Sequence, residues 1–140
     1  MKKRSVIFLT AFLALAFVTV IQAQDPPKVT KFSELCENLS LSTKTALFVK
    51  NYWAKVKGEL VTWTGIVKNV KGGRGKAVIY AANRAKPTYR GYNMVLTTFD
   101  MEGAGNLEIG KRINFRGILY NYKGRKGSPV IVYLNEVEIL

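Results

Sequence analysis

The run Glu59 to Val70, E-L-V-T-W-T-G-I-V-K-N-V, constrains the fold more than any other stretch of the chain. Val61, Trp63, Gly65 and Val67 alternate with Leu60, Thr62, Thr64 and Ile66. Both alternating faces carry apolar or β-favouring side chains, which predicts a long strand covered on both sides for much of its length. Gly65 stands in the middle, where a strand gains nothing from glycine unless it bends or bulges there. A long strand bent at its centre is what a small barrel needs to turn a corner.

The segments around that strand extend the pattern. Upstream, Thr30 is placed to cap a short helix through Asn38, with Phe32, Leu35, Cys36 and Leu39 on one side. Ser42 is placed to cap a second helix from Thr43 to Lys55, where Phe48, Val49, Tyr52 and Val56 recur at helical spacing. Gly58 ends it. Downstream, four further strands are expected at Ala77–Ala82, Tyr92–Phe99, Lys111–Tyr120 and Val130–Ile139, separated by glycine-rich or proline-broken connections. The connection Asp100–Gly110 holds three glycines and is too short for much of a helix. Five evenly spaced strands predict a mainly β, five-stranded antiparallel barrel preceded by one or two short N-terminal helices.

The N-terminus carries a different message. Met-Lys-Lys-Arg-Ser is followed by an apolar run of 16 residues, Val6 to Ile21, and then by Gln22-Ala23-Gln24. A basic start, a short apolar run and a small residue before a cut describe a secretory signal peptide at 1–23. The alternative is an uncleaved anchor, which needs about 20 apolar residues to span. Residues 24–29, with Pro26-Pro27, read as an extended linker, 30–57 as a helical segment, and 58–140 as the barrel. The expected location is periplasmic or extracellular, with no membrane span after cleavage. Cys36 is the sole cysteine, so no internal disulfide is available, and Leu35 precedes it where a lipid-attached cysteine would follow a small residue. Its simplest reading is a small buried hydrophobe.

Charge points to the partner. Without residues 1–23 the 22 bases fall to 19 against nine acids, a net charge of +10. Nine of those bases lie in three acid-free loops: Lys71, Arg74 and Lys76; Arg84, Lys86 and Arg90; and Lys123, Arg125 and Lys126. The remaining ten bases and nine acids nearly balance. A surface charged only for solubility would spread its charge, so this concentration argues for an anionic polymer. The competing reading is tight hairpin turns with solvated charges.

Tyrosines are interleaved with these loops: Tyr80, Tyr89, Tyr92, Tyr120, Tyr122 and Tyr133. Tyr89 and Tyr122 lie in basic loops and are the candidates for stacking on a ligand. Tyr80, Tyr92 and Tyr133 fall at alternate strand positions, which suits cross-strand packing equally well.

Enzyme chemistry finds little support. The chain has no histidine, the commonest general base and metal ligand. Gly72 to Lys76 lacks the spacing, the Ser or Thr and the helix of a phosphate loop. Asp100, Glu102 and Glu108 gather in one connection, where they either hold a hard cation as in a metal-dependent nuclease or simply solvate the loop. The expectation is a non-enzymatic protein with no cofactor and no metal.

Two local motifs carry a resemblance. Trp63 to Val70, W-T-G-I-V-K-N-V, and Leu107 to Gly117, L-E-I-G-K-R-I-N-F-R-G, resemble the bent first strand and the turn-plus-fourth-strand of OB-fold domains. With the upstream helix and signal peptide, the chain resembles bacterial exported proteins of the tRNA-anticodon-binding-like OB group, from Leu41 to the C-terminus. The resemblance implies architectural roles for Trp63, Gly65, Gly110 and Gly117. It implies a ligand face on strands two and three, framed by the loops after strand one and before strand five. The implied ligand is single-stranded nucleic acid; the exported location fits an acidic glycan or lipid headgroup as well. An interaction module for an envelope protein partner is the other function class. The resemblance also leaves the barrel without its usual plugging helix between strands three and four, a place the Thr43–Lys55 helix is expected to fill.

Overall fold

The computed structural model describes residues 31–140. The expected signal peptide, the linker and the Thr30 cap lie outside them. The elements are α1 (Phe32–Asn38), α2 (Ala46–Val56), β1 (Leu60–Gly73), β2 (Lys76–Ala82), β3 (Met94–Thr98), α3 (Met101–Gly105), β4 (Arg112–Lys123) and β5 (Ile131–Ile139). The strands close into a barrel in the order β1-β2-β3-β5-β4. This is an OB-fold.

One pairing corrects the expectation of a purely antiparallel barrel: β3 and β5 run parallel, with Met94, Val95 and Leu96 opposite Val132, Tyr133 and Leu134. The reason is topological. Five strands in a closed ring cannot alternate direction all the way round, so one neighbouring pair must be parallel.

β1 reaches two neighbours in turn. Leu60 to Ile66 pair with β4, and Ile66 to Gly73 pair with β2, so Ile66 faces Arg112 on one side and Ala82 on the other. The extra residue that eases this turn lies between Val67 and Asn69, not at Gly65. Gly65 pairs regularly with Ile113. Its role is space: a Cβ there would lie 2.6 Å from Met94 Cε and 3.2 Å from Ala81 Cβ. Gly117 is needed for the same reason, with Val137 Cγ2 at 2.8 Å from a would-be Cβ. Gly110 instead serves a turn, with φ at +89° and its N–H donating to Val67 O at 2.8 Å.

The barrel interior is filled by Val61, Trp63, Val67, Ile79, Met94, Leu96, Phe115, Leu119 and Leu134, among others. The helical segment closes it differently from expectation. α1 is the more deeply inserted helix, burying Phe32, Leu35 and Cys36, with Leu39 just beyond its end. The Phe32 ring meets Trp63 edge-on at 5.3 Å. Each such fully buried side chain contributes about 1.5–3 kcal/mol. α2 buries only Val49 and Val56. It also starts later than expected, at Ala46, because Thr45 is the residue whose side chain caps it, accepting from Phe48 N–H at 3.1 Å. Ser42 is used elsewhere. The connection after β3 does form a short helix, α3, because the Asp100 carboxylate accepts from Gly103 N–H at 2.9 Å. Among the described residues no helix is long and apolar enough to cross a membrane.

Candidate functional site

Tyr80 lies between the buried residues Ile79 and Ala81 and therefore points out of the barrel. Across the sheet its register partners are Asn69 on β1 and Val95 on β3. Val95 faces Tyr133 on β5, and Tyr133 faces Asn121 on β4. One rung of the outer surface thus reads Asn69, Tyr80, Val95, Tyr133, Asn121. Two tyrosine groups grow from it. Tyr80 meets Tyr92 at 4.9 Å and 74°, and Tyr92 meets Tyr89 at 6.3 Å and 82°. Tyr133 meets Tyr120 at 6.2 Å and 76°. These edge-to-face contacts fix the rings on the outer surface.

Each group carries cations. Lys71 Nζ stands 5.5 Å over the Tyr80 ring, Arg90 Cζ 5.2 Å over Tyr89, and Lys123 Nζ 5.7 Å over Tyr133. Between the two groups opens a cleft of about 240 Å³, lined by Tyr89, Tyr92, Tyr133, Lys123 and Arg125 with neighbouring residues of the last loop and Ile131. No acid lines it. Acids lie elsewhere: Asp100, Glu136 and Glu138 share a separate groove with Phe99 and Ile139.

The loops that frame the cleft are held by local chemistry. Tyr89 and Tyr92 exchange backbone hydrogen bonds at 2.8 and 3.1 Å, with Arg90 at φ +51° and Gly91 at φ +92° between them. This is a two-residue hairpin with both central residues left-handed. The first hairpin repeats it: Gly73 pairs with Lys76, with Arg74 at φ +39° and Gly75 at φ +79°. Glycine suits such a position and arginine does not. The last loop turns at Arg125–Ser128, closed by Ser128 N–H to Arg125 O at 3.0 Å. Ser42 accepts from Gly127 N–H at 3.2 Å, so the helical segment braces that turn.

Asn93 organises the loop between β2 and β3. It is fully buried. Its Oδ1 accepts from Asn83 N–H, and its Nδ2 lies within 2.9–3.3 Å of the carbonyls of Asn83, Lys86 and Pro87. Sequence reasoning did not single it out. Its one signal is a carboxamide at the mouth of an apolar run, N-M-V-L.

The basic residues named from sequence do not converge on one spot. Lys123, Arg125 and Tyr89 line the cleft, and Lys71 and Arg90 stand over its flanking rings. Arg74 and Lys76 belong to the first hairpin and Lys126 to the last turn, all exposed. Lys86 is diverted: its Nζ donates to Glu37 Oε1 at 3.0 Å, and it lines a different cavity with Cys36, Ser40 and Pro129. Arg84 lies beside Arg112 in a third cavity. Tyr122 turns inward, with its ring 4.9 Å from that of Trp53, because the irregularity between Leu119 and Asn121 shifts the alternation of β4. Its place on the outer surface is taken by Tyr133 and Tyr120.

Cys36 is buried, and that burial pushes its thiol up to about 12, with Lys86 lowering it and Glu37 raising it to smaller extents. Among the described residues no three acidic or thiol side chains gather into a metal-binding group.

No protein-family model matches the chain, and no curated protein matches it. Solved structures are similar at low identity. A Klebsiella pneumoniae lipoprotein with a conjectured nucleic-acid-binding role is 13% identical over 80% of this chain and 99% of its own, with a TM-score of 0.45. The S. pombe Stn1–Ten1 complex is 14% identical over 58% of this chain and 57% of that one, with a TM-score of 0.39. A replication protein A heterotrimer bound to single-stranded DNA is 9% identical over 59% and 57%, with a TM-score of 0.36. The chain spans little more than half the length of the last two. The fold assignment rests on strand order and barrel closure, and these likenesses add nothing about ligand or role.

Proposed function

We propose that the outer surface of β2, β3 and β5 binds single-stranded nucleic acid, and that the chain is an exported binding protein without enzymatic activity. The observation that carries this reading is the pair of tyrosine groups, each with a cation over a ring, flanking an acid-free cleft. Bases stack on such rings at about 1–3 kcal/mol each, whatever their sequence, while Lys71, Arg90, Lys123 and Arg125 meet the phosphates. A duplex hides its base faces and cannot use the rings. A lipid headgroup would satisfy the cations and leave the aromatic faces unused; an acidic glycan can lay sugar rings on those faces, and a binding panel separates it from nucleic acid. The export reading rests on the basic start and apolar run of residues 1–23. An envelope-interaction role would use strand edges, which barrel closure removes, or α2, which exposes Leu47 and Phe48 away from the tyrosine cleft.

The test is fluorescence anisotropy with labelled single-stranded DNA, single-stranded RNA, duplex DNA, an acidic oligosaccharide and anionic vesicles, each at two salt concentrations. Single strands are expected to bind in preference to the rest, with log K falling against log salt at a slope of about −0.7 per phosphate contacted. The Arg74→Glu/Arg90→Glu/Arg125→Glu protein is expected to fold and to lose binding. Unchanged affinity in that variant, or tighter binding of the oligosaccharide or vesicles, would overturn the reading.

A further inference from the structure

Arg84 and Arg112 come from opposite sides of β1 to the same cavity. Arg112 on β4, Ile66 on β1 and Ala82 on β2 form one rung of the barrel. Arg84 follows two residues after Ala82, and its backbone is fixed beside β1 because Asn83 Nδ2 donates to Thr64 O at 3.2 Å while Asn83 N–H is held by Asn93. Both arginines line a cavity of about 210 Å³ whose outward-facing floor is Thr64, Ile66 and Ala82. No acid lines it. The Glu37 and Glu138 carboxylates pair with Lys86 and Arg116, and neither Arg84 nor Arg112 has an acid partner among the described residues. Two guanidinium forks with no acid partner among the described residues match a phosphodiester, whose oxygens accept bidentate hydrogen bonds from either side.

The cavity also continues the tyrosine surface. Ala82 faces the same way as Tyr80, two residues and about 7 Å along β2. We infer that Arg84 and Arg112 form a phosphate-binding site that receives the strand as it leaves the tyrosine surface along β2. This rests on the nucleic-acid reading above, and it makes the binding path longer than the cleft.

The experiment compares two labelled oligothymidylates, one of about 4 and one of about 12 nucleotides, within the span that single OB-folds cover. The proteins are wild type, Arg84→Ala/Arg112→Ala and Arg84→Lys/Arg112→Lys, with circular dichroism and thermal melting as folding controls. Both arginines are exposed, so the variants are expected to fold. The alanine variant is expected to bind the longer strand roughly tenfold more weakly at about 0.1 M salt, with a salt slope shallower by about 0.7 for the one phosphate released, and to bind the shorter strand as wild type does. The lysine variant keeps the charge without the fork and is expected to fall between. If the longer strand is unaffected, the phosphate site is overturned and the tyrosine surface stands. If both strands weaken equally, the arginines belong to the cleft and the extension is overturned. If wild type binds neither strand, both proposals fail.

Discussion

The carboxamide of Asn93 is locked onto the backbone of Asn83: Oδ1 accepts from the Asn83 N–H at 2.8 Å, and Nδ2 donates to the Asn83 carbonyl at 2.9 Å. The loop that carries Arg84, Tyr89 and Arg90 is closed by this contact. Asn93→Asp keeps shape and volume but removes the Nδ2 donor, turning an acceptor toward the carbonyls of Asn83, Lys86 and Pro87. The expected loss is about 2–3 kcal/mol, because a buried polar group is left facing like groups. Chemical denaturation measures it, and hydrogen exchange should show the opening confined first to residues 83–92.

Arg74 and Arg90 each hold a left-handed backbone that costs an ordinary residue free energy. Asparagine adopts it readily. Arg74→Asn and Arg90→Asn are therefore expected to raise stability by about 0.5–1 kcal/mol each, read as a higher melting temperature. In the proposed function Arg90→Asn also weakens binding, because Arg90 stands over the Tyr89 ring beside the cleft. A gain in stability with a loss of affinity would show that Arg90 is kept for contact and not for turning.

Tyr122 and Tyr133 separate structure from contact. Tyr122→Ala removes the half-buried ring packed on Trp53 and the core and is expected to cost about 1.5–3 kcal/mol of folding stability. Tyr133→Ala, on the outer surface beside Tyr120, is expected to cost much less stability and about 1–3 kcal/mol of single-strand binding. Melting curves and anisotropy on the two variants check the division.

Cys36 supplies a pH dependence. Its thiol is raised by burial from 9.0 to about 12. Below pH 9 the thiol is neutral in both folded and unfolded chains, and its contribution to stability is fully present. Between about 9 and 12 only the unfolded chain ionises, so stability falls as pH rises through that window. Wild type is expected to lose stability more steeply there than Cys36→Ala. A thiol reagent at neutral pH should react only as fast as the protein unfolds.

The barrel was legible because its signals are local. Alternation over Leu60–Val67, the turn at Gly110 and apolar runs bounded by glycines name five strands directly. The wrong boundaries have specific causes. Ser42 and Thr45 are both acceptable caps by type, and the loop amide of Gly127 took the first. The inward turn of Tyr122 depends on an irregularity in β4 that alternation counting does not reveal. The parallel pair β3–β5 followed from strand number alone and needed only closure to be recognised.

The sequence by itself determined the strand-forming segments, the concentration of bases in three loops and the apolar α1. These follow from side-chain chemistry and neighbour spacing, which any stretch of chain carries with it. Tertiary structure decided which bases act together. It paired Lys86 with Glu37, set Arg84 beside Arg112, and brought Tyr80, Tyr92 and Tyr133 to flank one cleft with Lys123 and Arg125. The physical reason is register: residues far apart in the chain become neighbours only when strands pair, and a shift of one position sends a side chain to the opposite face.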